Sequence, residues 1–204
     1  MCSKILSSLN PQIPSQKTIE ARFKFIKDDL LGTNITISFR YILFLIILEE
    51  DKVKLPGPIS YSIFKDIIVH TAAIVESCIY YCLKTAIFLN KIEEKDIMDI
   101  EWKEITCKDL YKISGVEKVC GVIKRKQCES FEDSTQFITL NKAAFRAKVF
   151  DKEEYDCAEK IRKIRNRIHL AALKETDDFY QKKDVNNVFD NAKKIIDKIE
   201  KYLN

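Results

Sequence analysis

The chain has 204 residues, of which 46% are hydrophobic and 32% charged, a length that fits one domain of about 150 residues or one domain with an insertion. Only four glycines and four prolines are present and no proline follows Pro58, which excludes the turn-rich sandwiches and barrels of all-β proteins, while twelve Phe and eight Tyr exclude a disordered chain. The 35 Lys and Arg against 31 Asp and Glu give a net charge of +4, which by itself does not indicate a nucleic-acid partner.

Three helices are predicted before the middle of the chain. The first is capped by Ser15 or Thr18 and ends at Gly32. Its apolar residues recur every three or four positions, at Ile19, Phe23, Ile26 and Leu30. A second helix over residues 37–50 is apolar nearly all round and is therefore expected to be buried. After a loop that contains a Pro-Gly-Pro sequence, a third helix follows the helical period over residues 60–90.

The middle of the chain, residues 91–135, follows neither the helical nor the strand period clearly. Two segments, 103–107 and 119–128, alternate weakly between apolar and polar residues and contain Ile, Val and Thr. Gly115 and Gly121 lie nearby. We interpret this region as an irregular insertion that could contain a short β-hairpin.

Helices return in the last third of the chain, first over residues 140–149. The next helix begins at Asp151, which forms an Asp-x-x-Glu variant of the capping box with Glu154, and it is predicted to continue unbroken over residues 152–173. The last helix begins near Thr176. Its apolar residues form one long seam, made of Val185, Val188, Ala192, Ile195, Ile199 and Tyr202.

These elements predict an all-α fold: a single helical domain over residues 1–204, a bundle of about five or six helices, with the irregular insertion at 91–135. Residues 1–10 contain one Lys and no apolar core, so no signal peptide is expected. The most apolar run, Tyr41 to Leu48, is far shorter than the roughly 20 residues of a membrane span. The seven cysteines are odd in number and irregularly spaced, so we expect reduced thiols in the cytoplasm and no membrane partner.

The residues that could carry chemistry lie together near the end of the predicted 152–173 helix. On a continuous α-helix, Arg162 and His169 fall within about 20° of each other, Arg165 about 40° to one side of His169 and Asn166 about 60° to the other. This row of polar side chains lies beside an apolar stripe. Arg167 points about 140° away from Arg162.

Histidine can transfer a proton near neutral pH, and arginine can hold a phosphate through two hydrogen bonds. This combination suits attack of a ribose 2′-hydroxyl on the adjacent phosphodiester. The sequence contains neither a glycine-rich phosphate loop nor a His/Cys/Asp cluster with metal-ligand spacing, so we expect no cofactor and no metal.

The sequence Arg162-x6-His169 resembles the Arg-x(4–6)-His signature of HEPN domains. These are all-α bundles found in bacterial and archaeal toxin–antitoxin, abortive-infection and CRISPR-associated ribonucleases. The resemblance implies a homodimer in which two motifs meet, a metal-independent endoribonuclease acting as a toxin or antiviral-defence effector, and an antitoxin protein as partner. Arg165 lies too close to His169 for the family spacing, so Arg162 is the motif arginine.

The resemblance also implies roles for the individual side chains. His169 is expected to transfer protons, while Arg162 and Arg165 bind and stabilise the scissile phosphate. Asn166 is expected to hydrogen-bond the RNA substrate or to orient the histidine. Lys163, in the same basic stretch, is a further candidate for substrate binding.

A second resemblance concerns residues 69–83, which place Glu76 in an Ile-Val-Glu context before aromatic and Leu residues. The segment is similar to a helix of related bacterial proteins. We assign Glu76 to substrate binding, or to orienting an arginine of the motif. A surface position without function is the remaining alternative.

Two other functions remain open from the sequence. The chain could be a non-catalytic HEPN-like module that binds a nucleotide, RNA or another protein. It could also be a helical interaction protein in which the basic row is an ordinary solvated face. The geometry of Arg162 and His169 distinguishes these alternatives, since only the enzyme requires the two side chains to converge in a cleft.

Overall fold

The computed structural model describes residues 13–50, 57–168 and 180–204. Over these residues the chain is mostly helical and contains one β-hairpin, in agreement with the predicted fold class. The elements, in chain order, are α1 (Gln16–Arg22), α2 (Asp29–Glu50), α3 (Gly57–Phe88), α4 (Glu94–Ile97), β1 (Ile100–Lys112), β2 (Lys118–Cys128), α5 (Phe137–Arg146), α6 (Lys152–Arg165), a 3₁₀ turn (Asn166–Ile168) and α7 (Lys182–Leu203).

Helix α3 is the centre of the bundle, and it contacts α2, α5, α6 and α7. Its buried residues follow the predicted helical period and include Ile67, Ile74, Ile79 and Leu83. The helix ends where Asn90 adopts a left-handed backbone conformation with φ 53°, and the N–H of Lys91 bonds the carbonyl of Ala86 at 2.9 Å. The prediction of a long third helix is therefore confirmed, with its start at Gly57.

The predicted helix from Ser15 to Gly32 is wrong, because the chain turns after Arg22 and begins a new helix at Asp29. Asp28 accepts a hydrogen bond from the N–H of Leu31 at 2.9 Å and caps α2. Gly32 therefore lies inside the first turns of α2 and does not terminate a helix. Ser15 does cap α1, since its hydroxyl accepts from the N–H of Thr18.

Helix α2 was expected to be buried and is buried on one side only. It packs against α1 and α3, while Ile37 on its outer side is 59% exposed. By length and composition α2 and α3 could each cross a membrane, with mean hydropathies of 1.7 and 1.4. In the most apolar part of α3, 56% of the residues are buried in the bundle, and this burial accounts for their apolar character. The corresponding share in α2 is 22%.

The predicted irregular insertion contains a regular antiparallel hairpin that is longer than expected. Strands β1 and β2 have 13 and 11 residues, and they pair from Ile100–Cys128 at the base to Lys112–Lys118 at the tip. Of the strand residues only Thr106 and Gly121 are half-buried and the others are exposed. Since both faces meet solvent, the strands lack the apolar–polar alternation that would have identified them.

Helices α5, α6 and α7 complete the bundle. The predicted capping box is confirmed, because the carboxylate of Glu154 accepts from the N–H of Asp151 at 2.9 Å. In α7 the predicted seam is buried from Val185 to Ile199, and Tyr202 is half-buried. The predicted start of this last helix near Thr176 lies outside the described residues.

The prediction of one unbroken helix over residues 152–173 is wrong. The α-helix ends at Arg165, and Asn166–Ile168 form a 3₁₀ turn. Two features account for this end. Asn166 occupies the C-cap position, and the hydroxyl of Tyr180 donates to the carbonyl of Ile164 at 3.4 Å.

Cys78 and Cys82 form part of the core and are not a reactive pair. Both side chains are buried between α3 and its neighbours, and burial raises the pKa of each thiol to about 12. The six described cysteines are free thiols. The expectation of reduced cysteines therefore holds for the described part of the chain.

Candidate functional site

A cleft of about 300 Å³ opens where α3, the start of α5 and the end of α6 meet. Glu76 contributes from α3, Arg162 and Arg165 from the last turn of α6, and Asn166 from the 3₁₀ turn. The opposite wall is the segment 133–138, which leads into α5. Four residues predicted from the sequence therefore line one cavity.

Arg162 is held by a carboxylate one helical turn earlier. Its Nε and Nη2 atoms donate to the two oxygens of Glu159 at 2.7–3.2 Å, and both side chains are largely buried. These hydrogen bonds hold the pKa of Glu159 below its ordinary value, so the pair stays ionised. Within the described residues Nη1 of Arg162 has no hydrogen-bond partner, so its N–H groups remain for a ligand.

Glu159 is itself fixed by Asn141 of α5. The amide nitrogen of Asn141 donates to Glu159 Oε1 at 3.2 Å and to the carbonyl of Tyr155 at 3.1 Å. Asn141 is fully buried, and its amide oxygen has no partner among the described residues. The chain Asn141–Glu159–Arg162 thus extends from the core to the cleft and limits the positions that the guanidinium can adopt.

Arg165 is bound more loosely, by Glu76. Its Nη2 lies 3.6 Å from Glu76 Oε2, so Glu76 contacts an arginine of the predicted row, although not the motif arginine Arg162. Burial raises the pKa of the Glu76 carboxyl above its ordinary value, and the Arg165 guanidinium and then the Phe137 backbone N–H act in the opposite direction. At 34% exposure, the Arg165 side chain stays accessible to an anion in the cleft.

The wall opposite the arginines is anchored to α3. The rings of Phe131 and Tyr80 stack at 5.1 Å, and the Tyr80 hydroxyl donates to the carboxylate of Asp133. Lys84 lies 3.8 Å from the same carboxylate. Glu94 accepts from the N–H of Phe131. These contacts fix the wall to α3 and place the Lys84 ammonium near the Asp133 carboxylate.

The remaining predicted residues are not brought into the cleft. Lys163 is exposed on α6 and does not line it. His169 lies outside the described residues. The predicted angles within the row assumed a continuous α-helix, and this assumption fails after Arg165. Arg167 is exposed and does not line the cleft.

Glu159, Asn141 and the 133–138 wall were not found from the sequence. Glu159 precedes Arg162 by three residues, and a carboxylate at that spacing on a helix is a signal for an ion pair. Asn141 stands among apolar residues of α5, and its burial is a consequence of tertiary packing. Within the described ranges no three His, Cys, Asp or Glu side chains are grouped so as to hold a metal ion.

A substitution at Glu76 should change how stability depends on pH. Because the folded state raises the pKa of Glu76, it binds more protons than the unfolded state, and the contribution of this group to stability falls as pH rises through the folded pKa. Glutamine does not titrate. When the pH is lowered from about 7 to about 5, the unfolding free energy of wild type should therefore rise relative to that of Glu76→Gln.

Urea unfolding at the two pH values measures this shift. Glu101→Gln is the matched control, because this substitution removes the same charge. Glu101 is exposed on β1 and far in sequence from Arg162 and Arg165. An equal shift in both variants, or none in Glu76→Gln, would contradict the assignment of the raised pKa to this cleft.

Comparison of the chain with models of known protein families, with curated proteins and with solved structures found no match in any of the three.

Proposed function

We propose that the chain is a metal-independent endoribonuclease of HEPN type, acting as a toxin or antiviral-defence effector. The observation that carries the proposal is the single cleft that assembles Arg162, Arg165, Asn166 and Glu76. Two guanidinium groups in one concave site suit a phosphodiester, and the sequence supplies a histidine three positions after Asn166.

In the proposed reaction, the ribose 2′-oxygen attacks phosphorus while the bond from phosphorus to the 5′-oxygen breaks. The products are a 2′,3′-cyclic phosphate and a 5′-hydroxyl. His169 transfers the proton between the attacking and leaving oxygens, and Arg162 and Arg165 stabilise the charge that develops on the phosphate. The Asn166 amide hydrogen-bonds the RNA. Glu76 acts through Arg165, which it holds at the cleft.

The resemblance to HEPN domains adds the proposed setting. A composite site with two motifs requires two copies, so we propose a homodimer. A toxin also requires an antitoxin partner, and we place both in the cytoplasm.

A second function is favoured by the ion pairs within the cleft. Arg162 already holds Glu159 in two-pronged geometry and Arg165 already contacts Glu76, as in a structural network. A non-catalytic HEPN-like module could use the remaining N–H groups to bind a nucleotide or RNA without cutting it.

Incubation of the purified chain with RNA, in the presence and absence of EDTA, tests the proposal. We expect cleavage in both conditions, and no cleavage of DNA or of 2′-O-methyl RNA, in which the attacking hydroxyl is absent or blocked. Binding of all these polymers without cleavage would favour the second function. Cleavage that stops with EDTA would contradict the metal-independent mechanism.

A further inference from the structure

The hairpin formed by β1 and β2 is the most exposed element of the described structure. Both strands meet solvent on both faces, and at about 3.3 Å per residue a strand of this length extends roughly 40 Å. An isolated two-stranded hairpin is only marginally stable in water. The length of this arm and its exposed surface therefore need a functional explanation.

One face of the hairpin, which we call the cleft-side face, carries three basic residues and an aromatic ring. Lys103 pairs directly with Arg125. Two irregularities in β1 shift the register, so that Lys108 pairs with Gly121 and Tyr111 with Val119, which lie on the Arg125 side of β2; Lys108 and Tyr111 therefore point to the same side as Lys103. Tyr111 is 67% exposed. Cross-strand pairing of like charges destabilises a hairpin unless an anion lies over it.

No carboxylate in the described part of the chain forms an ion pair with Lys103, Lys108 or Arg125. Glu101 shares their face and is the nearest acidic neighbour in the ladder, diagonal to Arg125. With three basic groups against this one carboxylate, the cleft-side face is positively charged. Its charge therefore complements a polyanion.

The cleft-side face is continuous with the candidate site. Lys103 lines a second cleft, of about 320 Å³, at the base of the hairpin. The far wall of that cleft, Ser134 to Gln136, is also the wall that faces Arg162 and Arg165. The two clefts thus share the wall segment Ser134 to Gln136.

The base of the hairpin is fixed to the bundle, so this arrangement does not depend on a mobile arm. The N–H of Glu129 bonds the carbonyl of Asp99 at 2.9 Å. Arg146 of α5 donates to the carbonyl of Ile97 at 2.9 Å and pairs with the Asp99 carboxylate. Glu132, which also lines the second cleft, accepts from the Ser130 hydroxyl, so part of its charge is satisfied locally.

We propose that the cleft-side face of the hairpin binds the backbone of single-stranded RNA and leads the strand into the candidate site. This inference rests on the proposed function and names the form of its substrate. Lys103, Lys108 and Arg125 contact phosphates, and an unpaired base stacks on Tyr111. The exposed ring favours a single strand, since the bases of a duplex are not free to stack on a side chain.

The test is the affinity of the full chain for a fluorescent 2′-O-methyl oligouridylate of about 20 nucleotides, measured by anisotropy. This probe cannot be cleaved by 2′-OH attack, so binding is read separately from catalysis. The test variant is Lys103→Ala/Lys108→Ala/Arg125→Ala. The control, Lys112→Ala/Lys124→Ala/Lys126→Ala, removes the same charge from the opposite face of the same hairpin.

We expect the test variant to bind about 100-fold more weakly at about 0.1 M salt, with a salt slope lower by about 2, because three phosphate contacts are lost. The control should stay within about threefold of wild type, since its charges are separated from the RNA by the hairpin. Tyr111→Ala should weaken binding about tenfold and Tyr111→Phe should restore it. Circular dichroism confirms folding of each variant.

Equal losses in the two triple variants would overturn the proposal, because binding would then follow net charge and not one face. Unchanged affinity in the test variant would overturn it as well. Light scattering that shows wild type as a dimer and the test variant as a monomer would assign the face to protein contact instead. If wild type binds the probe through this face yet never cleaves RNA, the inference holds and the proposed enzyme fails.

Discussion

Replacing His169 with alanine should abolish detectable RNA cleavage while the protein remains folded. Removing a positioned general acid or base slows a reaction by about 10²–10⁴-fold, because the proton must then be transferred by a group that is not positioned for it. The chain contains only one other histidine, His70. Single-turnover cleavage of a defined RNA oligonucleotide measures the rate, and thermal unfolding measures the fold.

His70→Ala is the matched control for this experiment. His70 lies on α3, half-buried, with its ring 4.8 Å from that of Tyr41, and it does not line the cleft. We expect this variant to cleave RNA at nearly the wild-type rate. If His169→Ala retains its activity, or if the two variants lose equal activity at equal stability, His169 is not the proton-transfer group.

Arg162→Ala is the second variant with a large expected effect. Loss of a charged donor aimed at the reacting phosphate costs about 10²–10³-fold in rate. The same change also leaves Glu159, with 16% side-chain exposure, without its cationic partner, so the unfolding free energy should fall by about 1.5–3 kcal/mol. Rate and stability are measured below the melting transition of the variant, so that unfolding does not imitate a catalytic loss.

Two comparisons separate catalysis from structure at this position. Arg162→Lys keeps the charge but cannot reproduce the two-pronged contact with Glu159, so it should recover stability more than rate. Arg167→Ala removes an exposed guanidinium outside the cleft and should retain most activity. If Arg167→Ala is as damaging as Arg162→Ala, the roles of the two arginines are wrongly assigned.

The sequence predicted the parts of the fold that depend on local physics. The seam of α7 from Val185 to Ile199 and the capping box at Asp151 are patterns within one helix, so they could be found without knowledge of the tertiary structure. The break between α1 and α2 could not be found this way. The apolar residues Phe23 and Ile26 continue the helical period across the break, although the chain turns there and Asp28 caps a new helix.

The candidate site was predicted in part, and the errors have a common cause. Arg162, Arg165 and Asn166 are neighbours in sequence, and their shared cleft follows from that proximity. Glu76 pairs with Arg165, the arginine beside the motif residue Arg162, while its expected role in substrate binding stays a prediction. Asn141 and the 133–138 wall come from distant parts of the chain, and only the packing of α5 against α3 and α6 brings them to the site.

The most direct test of the account is the chemistry of the RNA ends that the wild-type chain produces in EDTA, with Arg162→Ala assayed in parallel. The proposed cleft and mechanism predict 2′,3′-cyclic phosphate and 5′-hydroxyl ends from the wild type, and ends from Arg162→Ala at about one-hundredth of that rate or less. Ends that carry a 5′-phosphate, or equal cleavage by the two proteins, would contradict the claim that this cleft cuts RNA.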